Sequence, residues 1–408
     1  MNILIVTQYF WPENFKINEV AIYLKEKGHK VTVLTGKPNY PEGKFYNGYS
    51  FLKPPSEFYN GIEIFRLPTI PRGKNNALKL ILNYLFFPFI GRIVWSRMLK
   101  DKSFDIIFVC QLSPVFVGLL GARIKKKLKV PMVMWVLDLW PDSIFAASRI
   151  KPFFIEKTLK LIVNRIYHSC DKIFVSSKPF YKSIVKYNYL EKNIFHIPNW
   201  ADDDVNTLTS KEIEKLPILS KGFNILFAGN IGDAQDIDTI LNSFEHLKSI
   251  NDIKMIFIGD GRKRSWLENQ IIERNLTNQV FWLGSFPSNT MQYFYNNASV
   301  LLASLKPNPV FELTVPAKIQ SYMANKKPIL SMLSGAGNDI VDEANCGIIV
   351  KSGDTESLVK AIKKLHNLTF DELESMGLRG YYYYLENFEK TKILTRLETL
   401  LINELKKS

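Results

Sequence analysis

The stretch Asn224-Ile-Leu-Phe-Ala-Gly-Asn-Ile-Gly-Asp-Ala-Gln235 reads as a short apolar strand running straight into a glycine turn. A strand without polar alternation is covered on both faces, the pattern of a parallel sheet wrapped by helices. Working outward, short apolar runs recur at 255–258, 280–283, 300–303, 329–331 and 348–350, separated by longer amphipathic segments. The same rhythm precedes it at 3–6, 31–34, 106–109, 132–136 and 173–175, with helical patterns over 14–27, 114–127 and 152–168. It breaks at His196-Ile-Pro-Asn-Trp-Ala-Asp-Asp-Asp204, a Pro/Asn turn followed by an acidic run. Strands alternating with helices predict an α/β protein, and the break predicts two doubly wound domains joined near 198–220. The expected bounds are 1–200 and 201–385, with 386–408 a C-terminal helix returning toward the first domain.

A chain of 408 residues is about twice a comfortable single core, and 46% hydrophobic residues supply two. Charge divides unequally: residues 1–200 hold 30 Lys/Arg against 13 Asp/Glu, and residues 201–408 hold 23 against 26. The first half is therefore +17 and the second −3, out of +14 overall. A field that one-sided suits an anionic partner, although solubility alone would also explain it. Cys110, Cys170 and Cys346 are odd in number, far apart and without ligand spacing, which indicates neither a disulfide framework nor a zinc site. Met1-Asn-Ile-Leu-Ile-Val-Thr7 has no basic lead or cleavage site and reads as a strand.

In open parallel sheets ligands bind beyond the carboxyl ends of strands, so the loops there are the places to search. The first such loop, Thr7-Gln-Tyr-Phe-Trp-Pro-Glu-Asn14, contains no glycine to close on a pyrophosphate. Its aromatics suggest a platform for a sugar or lipid-linked group, or else packing of Tyr9, Phe10 and Trp11. The second half differs. Gly229, Asn230, Gly232 and Gln235 follow its first strand, and Gly259-Asp-Gly261 with Arg262, Lys263 and Arg264 follows its second. Main-chain N–H groups and helix N-termini at such turns favour phosphate, though a tight strand-to-helix turn is the plainer explanation of Gly-Asp-Gly. After the strand at 300–303, the segment Val310-Phe-Glu-Leu-Thr-Val-Pro-Ala-Lys-Ile-Gln-Ser-Tyr-Met323 sets Glu312 in a loop and Lys318 on the first turns of a helix opened by Pro316. Facing a ligand, Lys318 would meet a phosphate and Glu312 a hydroxyl.

In the first half, Asp138 of Trp135-Val-Leu-Asp-Leu-Trp-Pro-Asp142 leaves an apolar strand at its carboxyl end. Asp142 reads as a helix cap rather than the partner of a metal pair, and Asp202-Asp-Asp204 as a solvated turn. None of the five histidines falls in a strand-end loop, and no Gly-x-Ser-x-Gly nucleophile pattern occurs. The most apolar window, 78–95, is flanked by Arg72, Lys74, Arg97 and Lys100 and interrupted by Pro88. It reads as too short to span a bilayer, and as either a helix in the headgroup region or a buried helix.

Lys27-Gly-His-Lys-Val-Thr-Val33, Ile197-Pro-Asn199, Ala228-Gly-Asn-Ile-Gly232, Gly259-Asp-Gly261, Phe281-Trp-Leu-Gly284 and Lys327-Pro-Ile329, in that order, resemble the retaining GT-B glycosyltransferases of family 4. That resemblance implies two Rossmann-like domains facing a central cleft. Asp138-Leu-Trp-Pro-Asp142, the Gly229 turn with Gln235, and Val315–Met323 look most like the bacterial N-acetyl-L-fucosamine transferases of O-antigen and capsule assembly. It implies a UDP-sugar donor, an undecaprenyl-diphosphate-linked acceptor, no metal, and transfer at the cytosolic face of an anionic membrane. The chain departs from the family where two glutamates eight apart are expected: alignment on Lys327-Pro328 puts Leu313 and Ser321 there, while Glu312 and Gln320 keep the spacing. The family's Arg and Lys near the first glycine turn are replaced by Asn230 and Gln235, leaving Arg262, Lys263 and Lys318 as the cations for the diphosphate. Ser285 and Phe286 would lie near the base, Ser321 near the donor, and Asp138 would orient the acceptor hydroxyl. A UDP-sugar 2-epimerase on the same fold is the alternative. A nucleic-acid binder using Lys125-Lys-Lys-Leu-Lys129 lacks any recognition motif.

Overall fold

The computed structural model describes residues 1–51, 56–74, 76–147, 152–202, 219 and 222–406. The chain divides into two compact units: Met1–Pro198 with Thr391–Ser408, and Asn199–Lys390. Most of the linker expected near 198–220, including Asp203 and Asp204 of the acidic run, lies outside the described residues.

Unit 1 runs β1 (Asn2–Thr7), α1 (Lys16–Glu26), β2 (Lys30–Thr35), β3 (Ser56–Tyr59), β4 (Ile62–Arg66), α2 (Ala77–Met98), β5 (Ile106–Gln111) and α3 (Val117–Leu128). It continues through β6 (Met132–Val136), α4 (Asp142–Ala147), α5 (Phe153–His168), β7 (Lys172–Val175), α6 (Phe180–Val185) and β8 (Ile194–His196). The eight strands order as β3-β4-β2-β1-β5-β6-β7-β8, all neighbours parallel except the hairpin β3–β4. Ile3 pairs with Val31 on one side and Ile106 on the other, which leaves β1 central and fully covered. The hairpin was not anticipated from periodicity, although Asn60-Gly61 between its strands is a strong turn signal.

Unit 2 runs β9 (Phe223–Ala228), α7 (Ile237–Glu245), β10 (Ile253–Ile258), α8 (Arg264–Glu273), β11 (Val280–Trp282), α9 (Met291–Asn296), β12 (Val300–Ser304) and α10 (Pro309–Glu312). Then come α11 (Ala317–Ala324), β13 (Ile329–Leu333), α12 (Ala336–Glu343), β14 (Gly347–Lys351), α13 (Thr355–His366) and α14 (Phe370–Asn387). Its sheet is parallel throughout, ordered β11-β10-β9-β12-β13-β14. Along β9, Ile225 and Phe227 enter one core cluster and Leu226 the other, so the unbroken apolar run of the sequence serves both faces.

The tail is helical but broken at Phe388–Glu389, and its last helix, α15 (Lys390–Leu405), packs on unit 1. Ile393, Leu394, Leu397 and Leu401 are buried at helical spacing. His29 Nε2 lies 2.8 Å from Glu398 Oε1, and Lys172 Nζ donates to the Leu400 carbonyl at 3.0 Å and pairs with Glu404 at 3.0 Å.

Pro88 does not interrupt α2, which is continuous for 22 residues and by length and composition could cross a membrane. Asn83, Phe87, Pro88, Gly91 and Trp95 are nonetheless buried, and Asn83 accepts from Gln8 Nε2 at 2.8 Å and donates to the Ile70 carbonyl at 2.6 Å. A stripe recurring every fourth residue, with a buried polar anchor, docks the helix along unit 1. The opposite face is open: Leu78, Ile81, Leu82, Leu85, Phe89 and Ile93 are exposed.

Candidate active site

At the carboxyl edge of the unit 2 sheet, the turns after β9 and β10 interlock. Ile231 N–H donates to the Asp260 carbonyl at 2.9 Å, and Lys263 N–H to the Ile231 carbonyl at 3.0 Å. Gly229 (φ 145°) and Gly259 (φ 130°) adopt backbone open to glycine, and a Cβ on Gly259 would sit 1.9 Å from the Gly229 oxygen. Gly261 likewise presses on the Ile231 carbonyl, and Gly232 on the Asn230 side chain. Gly229 and Asn230 are exposed, and among the described residues the N–H groups of Asn230 and Gly232 have no protein acceptor. Main-chain N–H groups left over at such a turn can take an anion.

Lys318 reaches this turn from α11. A Cβ on Gly229 would lie 3.3 Å from its Nζ, which sits 3.8 Å above the Phe227 ring centroid. The expectation of an open cation needs correction, because the Nζ is sealed even though the stem is only half-buried. Among the described residues it has no hydrogen-bond partner, and burial pulls its pKa down from 10.5 to about 7. Helix α11 is held there by Tyr322, whose buried hydroxyl donates to the Leu302 carbonyl at 3.2 Å and accepts from Ala228 N–H at 3.3 Å. Replacing Tyr322 by Phe strands both groups; urea unfolding should show a loss of about 1–2 kcal/mol, with weaker nucleotide binding.

The other expected residues distribute unevenly. Gln235 lies in the same turn with its Oε1 buried and without a partner among the described residues. Lys263 is engaged, 3.3 Å from Asp233 and 4.3 Å from the centre of the Trp266 ring, whereas Arg262 is exposed. Because Asp233 is itself well exposed, that ion pair is weak and exchangeable. Glu312 closes α10 with its side chain exposed, and a Cβ on Gly335 would stand 2.1 Å from its carbonyl oxygen. Ser321 shares a helix with Lys318 but turns its hydroxyl to the Ala317 carbonyl at 3.4 Å. Gln320, which keeps the family spacing from Glu312, is buried, with its side-chain amide against the Pro316 and Ala317 carbonyls. Gly284 accepts from Gly259 N–H at 2.8 Å, tying the loop of Ser285 and Phe286 to the glycine turns. Ser285 is exposed there, and Phe286 packs 4.6 Å from Phe294.

Two family models divide the chain between them: Glycosyltransferase Family 4 matches residues 17–205, and Glycosyl transferases group 1 matches residues 209–381. The chain is a glycosyltransferase of the GT-B fold. The transferase is 23% identical over 285 residues to the putative colanic acid biosynthesis glycosyl transferase WcaI of Escherichia coli, covering 65% of this chain and 66% of that one. It is 21% identical to a Campylobacter jejuni N-acetylgalactosaminyltransferase acting on N-acetylgalactosamine-N,N'-diacetylbacillosaminyl-diphospho-undecaprenol, covering 77% of this chain and 80% of the relative. Among solved structures, sucrose-phosphate synthase from Thermosynechococcus elongatus superposes with a TM-score of 0.75 at 15% identity, over 100% of this chain and 99% of that one. HepE from Anabaena in complex with UDP gives 0.69 at 13% identity, over 99% and 100%. At such identities these structures speak for the fold.

In unit 1 of the transferase the strand-end loops are more enclosed than expected. Tyr9 and Phe10 are buried, which favours packing over a platform for these two; Trp11 is half-buried and stacks on Tyr59 at 4.5 Å. Asp138 Oδ2 accepts from Trp140 Nε1 and Ser143 Oγ, each at 3.1 Å, with Ser113 and the Leu139 amide also bonded to this carboxylate. Burial raises its pKa despite those donors. These donors tie the Asp138 carboxylate into its own loop, which it helps to hold together. Asp142 is the first residue of α4, in its first turn.

Two residues escaped the sequence reading. Asp236, left-handed at φ 51° and 6% exposed, has Oδ2 buried without a partner among the described residues, beside Gln235. Preceding the apolar start of α7 it looks like an ordinary cap, yet its side chain makes no cap bond. Glu13 is buried and accepts from the Asn39 and Tyr40 amides at 2.8 Å each, joining the loops after β1 and β2, and desolvation pushes its pKa up to about 7. Its only sequence signal was a carboxylate among aromatics.

Proposed function

We propose that this glycosyltransferase moves an N-acetylated deoxyhexosamine, such as N-acetyl-L-fucosamine, from a UDP-sugar to an undecaprenyl-diphosphate-linked saccharide in O-antigen or capsule assembly. The observation that carries the donor half is the sealed, partnerless Lys318 ammonium beside the Gly229 turn with its free amides. An ammonium without a counter-charge is costly, and a diphosphate beside it supplies one. Support for the donor class comes from HepE, solved with UDP, and for the acceptor class from the Campylobacter relative, whose name specifies a diphospho-undecaprenol substrate. The sugar itself rests on the resemblance of the 138–142, 228–235 and 315–323 motifs.

In the reaction the acceptor oxygen bonds to the anomeric carbon as the bond from that carbon to the β-phosphate oxygen breaks. The bonding pair stays on the phosphate, and the acceptor proton passes to the departing oxygen. Lys318 and the Asn230 and Gly232 amides stabilise the charge that builds there, with Arg262 and, once released from Asp233, Lys263 nearby. Glu312 takes a sugar hydroxyl, and Asp138 keeps the acceptor-side loop in shape. The mechanism is retaining and runs no step through a metal. The enzyme works peripherally at the cytosolic face of an anionic membrane that carries its acceptor. Nothing in the comparisons favours the 2-epimerase alternative.

A panel of UDP-sugars incubated with membrane extract should give one larger lipid-linked product, with the anomeric configuration of the donor kept. Conversion of a UDP-sugar to its 2-epimer without acceptor would replace this reading with the alternative.

A further inference from the structure

We propose that unit 1 holds one anionic phospholipid of the membrane leaflet on its α2–α3–α5 face, the acyl chains along an apolar groove and the phosphate in an adjoining basic pocket. This deepens the peripheral-membrane reading above and rests on it. The groove, about 570 Å³, is walled by Leu82, Leu85 and Phe89 of α2, Phe116 before α3, and Leu159 and Ile162 of α5. The outer face of α2 is exposed along this groove, and Phe153, Phe154 and Ile155 at the start of α5 are exposed as well.

A second pocket, about 620 Å³, adjoins the groove and shares Arg92 and Leu119 with it. Arg123, Lys126 and Arg165 line it, and no carboxylate does. Lys125 is taken by Asp171 at 2.6 Å, whereas Arg92, Arg123, Lys126 and Arg165 have no acidic partner among the described residues. Unpaired guanidinium groups at the end of an apolar trough match a phosphate ester carrying hydrocarbon chains.

Topology separates this lipid from the acceptor. Helices α2, α3 and α5 each leave the carboxyl end of one strand and return to the amino end of the next. Arg92, Arg123, Lys126 and Arg165 all fall in the second halves of those helices, toward the strands' amino ends. Reaction sites in such sheets form at the carboxyl ends. The basic pocket therefore lies at the wrong end for a reacting diphosphate and suits a lipid that anchors the enzyme.

The test is flotation of the full chain with phosphatidylcholine vesicles, alone or mixed with phosphatidylglycerol. The wild type should partition onto the mixed vesicles, and excess soluble glycerol phosphate should not release it. A triple Arg92→Gln, Arg123→Gln, Arg165→Gln variant should lose on the order of a hundredfold in partition, at roughly fivefold per basic residue, while keeping its melting temperature and UDP affinity. If the triple variant misfolds, Arg165→Gln alone should lose about fivefold. Leu85→Asp with Phe89→Asp should abolish partition onto both kinds of vesicle. Equal partition onto neutral vesicles, full partition by the arginine variants, or sedimentation showing this face sealed in a dimer would overturn the proposal. Transfer to a detergent-solubilised acceptor, measured alongside, separates the two readings. Lost flotation with transfer intact removes only the lipid site, and lost transfer with flotation intact removes only the proposed reaction.

Discussion

Replacing Lys318 by Met should cut transfer by two to three orders of magnitude and at the same time raise the melting temperature of the ligand-free protein. The Nζ is sealed against Phe227 and Gly229 with no acceptor among the described residues, so protonating it in the folded state is unfavourable. Its pKa falls from 10.5 to about 7, and each unit corresponds to about 1.4 kcal/mol. Allowing for relaxation around the charge, the folded state carries a penalty on the order of 2–4 kcal/mol below pH 7. The sign follows from linkage: between about pH 7 and 10.5 the unfolded chain binds the proton that the folded chain has lost. Stability of the wild type therefore rises with pH across that window, and the advantage of Lys318→Met shrinks to nothing at its upper end. Thermal melts of both proteins at about pH 6 and pH 9.5 should show a gap of several degrees that narrows with pH.

The functional consequence runs the other way. A diphosphate beside Lys318 restores its proton, so UDP binding should take up about one proton near pH 8 and weaken as pH rises above about 7. Calorimetry in buffers of different ionisation enthalpy reads that proton directly. In the Met variant the uptake should vanish, UDP affinity should drop about a hundredfold, and turnover should fall by 10²–10³-fold. A Lys318→Met protein that is less stable than wild type at neutral pH, or one that transfers normally, would be incompatible with this assignment.

Gly259→Ala should remove UDP binding and destabilise unit 2 by more than about 3 kcal/mol. The added Cβ meets the Gly229 oxygen at 1.9 Å and its carbon at 2.8 Å. Both are main-chain atoms, and Gly229 is itself tied to Ile258 by its N–H at 2.9 Å. Relief requires the two turns to part, which breaks the bonds Ile231 and Lys263 make across them and scatters the free amides. Gly28→Ala is the control. It has φ 84° but nothing within 4 Å of the added carbon, so only the left-handed backbone cost of roughly 1 kcal/mol should appear. Denaturant melts of both variants, with UDP titrations, compare the two. Wild-type UDP affinity in Gly259→Ala would show that the interlocked turns do not bind the nucleotide.

The architecture was legible because burial on both faces of a parallel sheet leaves an unmistakable trace. Runs such as Ile225–Ala228 and Met132–Val136 carry no polar alternation, and a glycine turn follows the first of them. The hairpin β3–β4 escaped because β3 is short and alternates between exposed and half-buried positions, and Glu57 and Glu63 interrupt the two strands. The continuity of α2 escaped too, since Pro88 signals a break whenever its surroundings are unknown. Here buried contacts on either side, from Asn83 to Trp95, carry the helix through.

Much of the candidate site was legible as residue types at strand ends: Gly229, Gly232, Gly261 and Lys318 come together around one interlocked pair of turns. What each side chain does there was not, because that depends on neighbours distant in sequence. Lys318 loses its solvent to Phe227, Lys263 gains Asp233, and Asp138 meets Ser113 as well as its local partners Trp140 and Ser143. Sequence alone determined the two doubly wound units, since local periodicity and turn chemistry suffice for them. Tertiary structure alone decided which charges are free, sealed or already spent, because desolvation and pairing are properties of the packed surroundings and not of the residue.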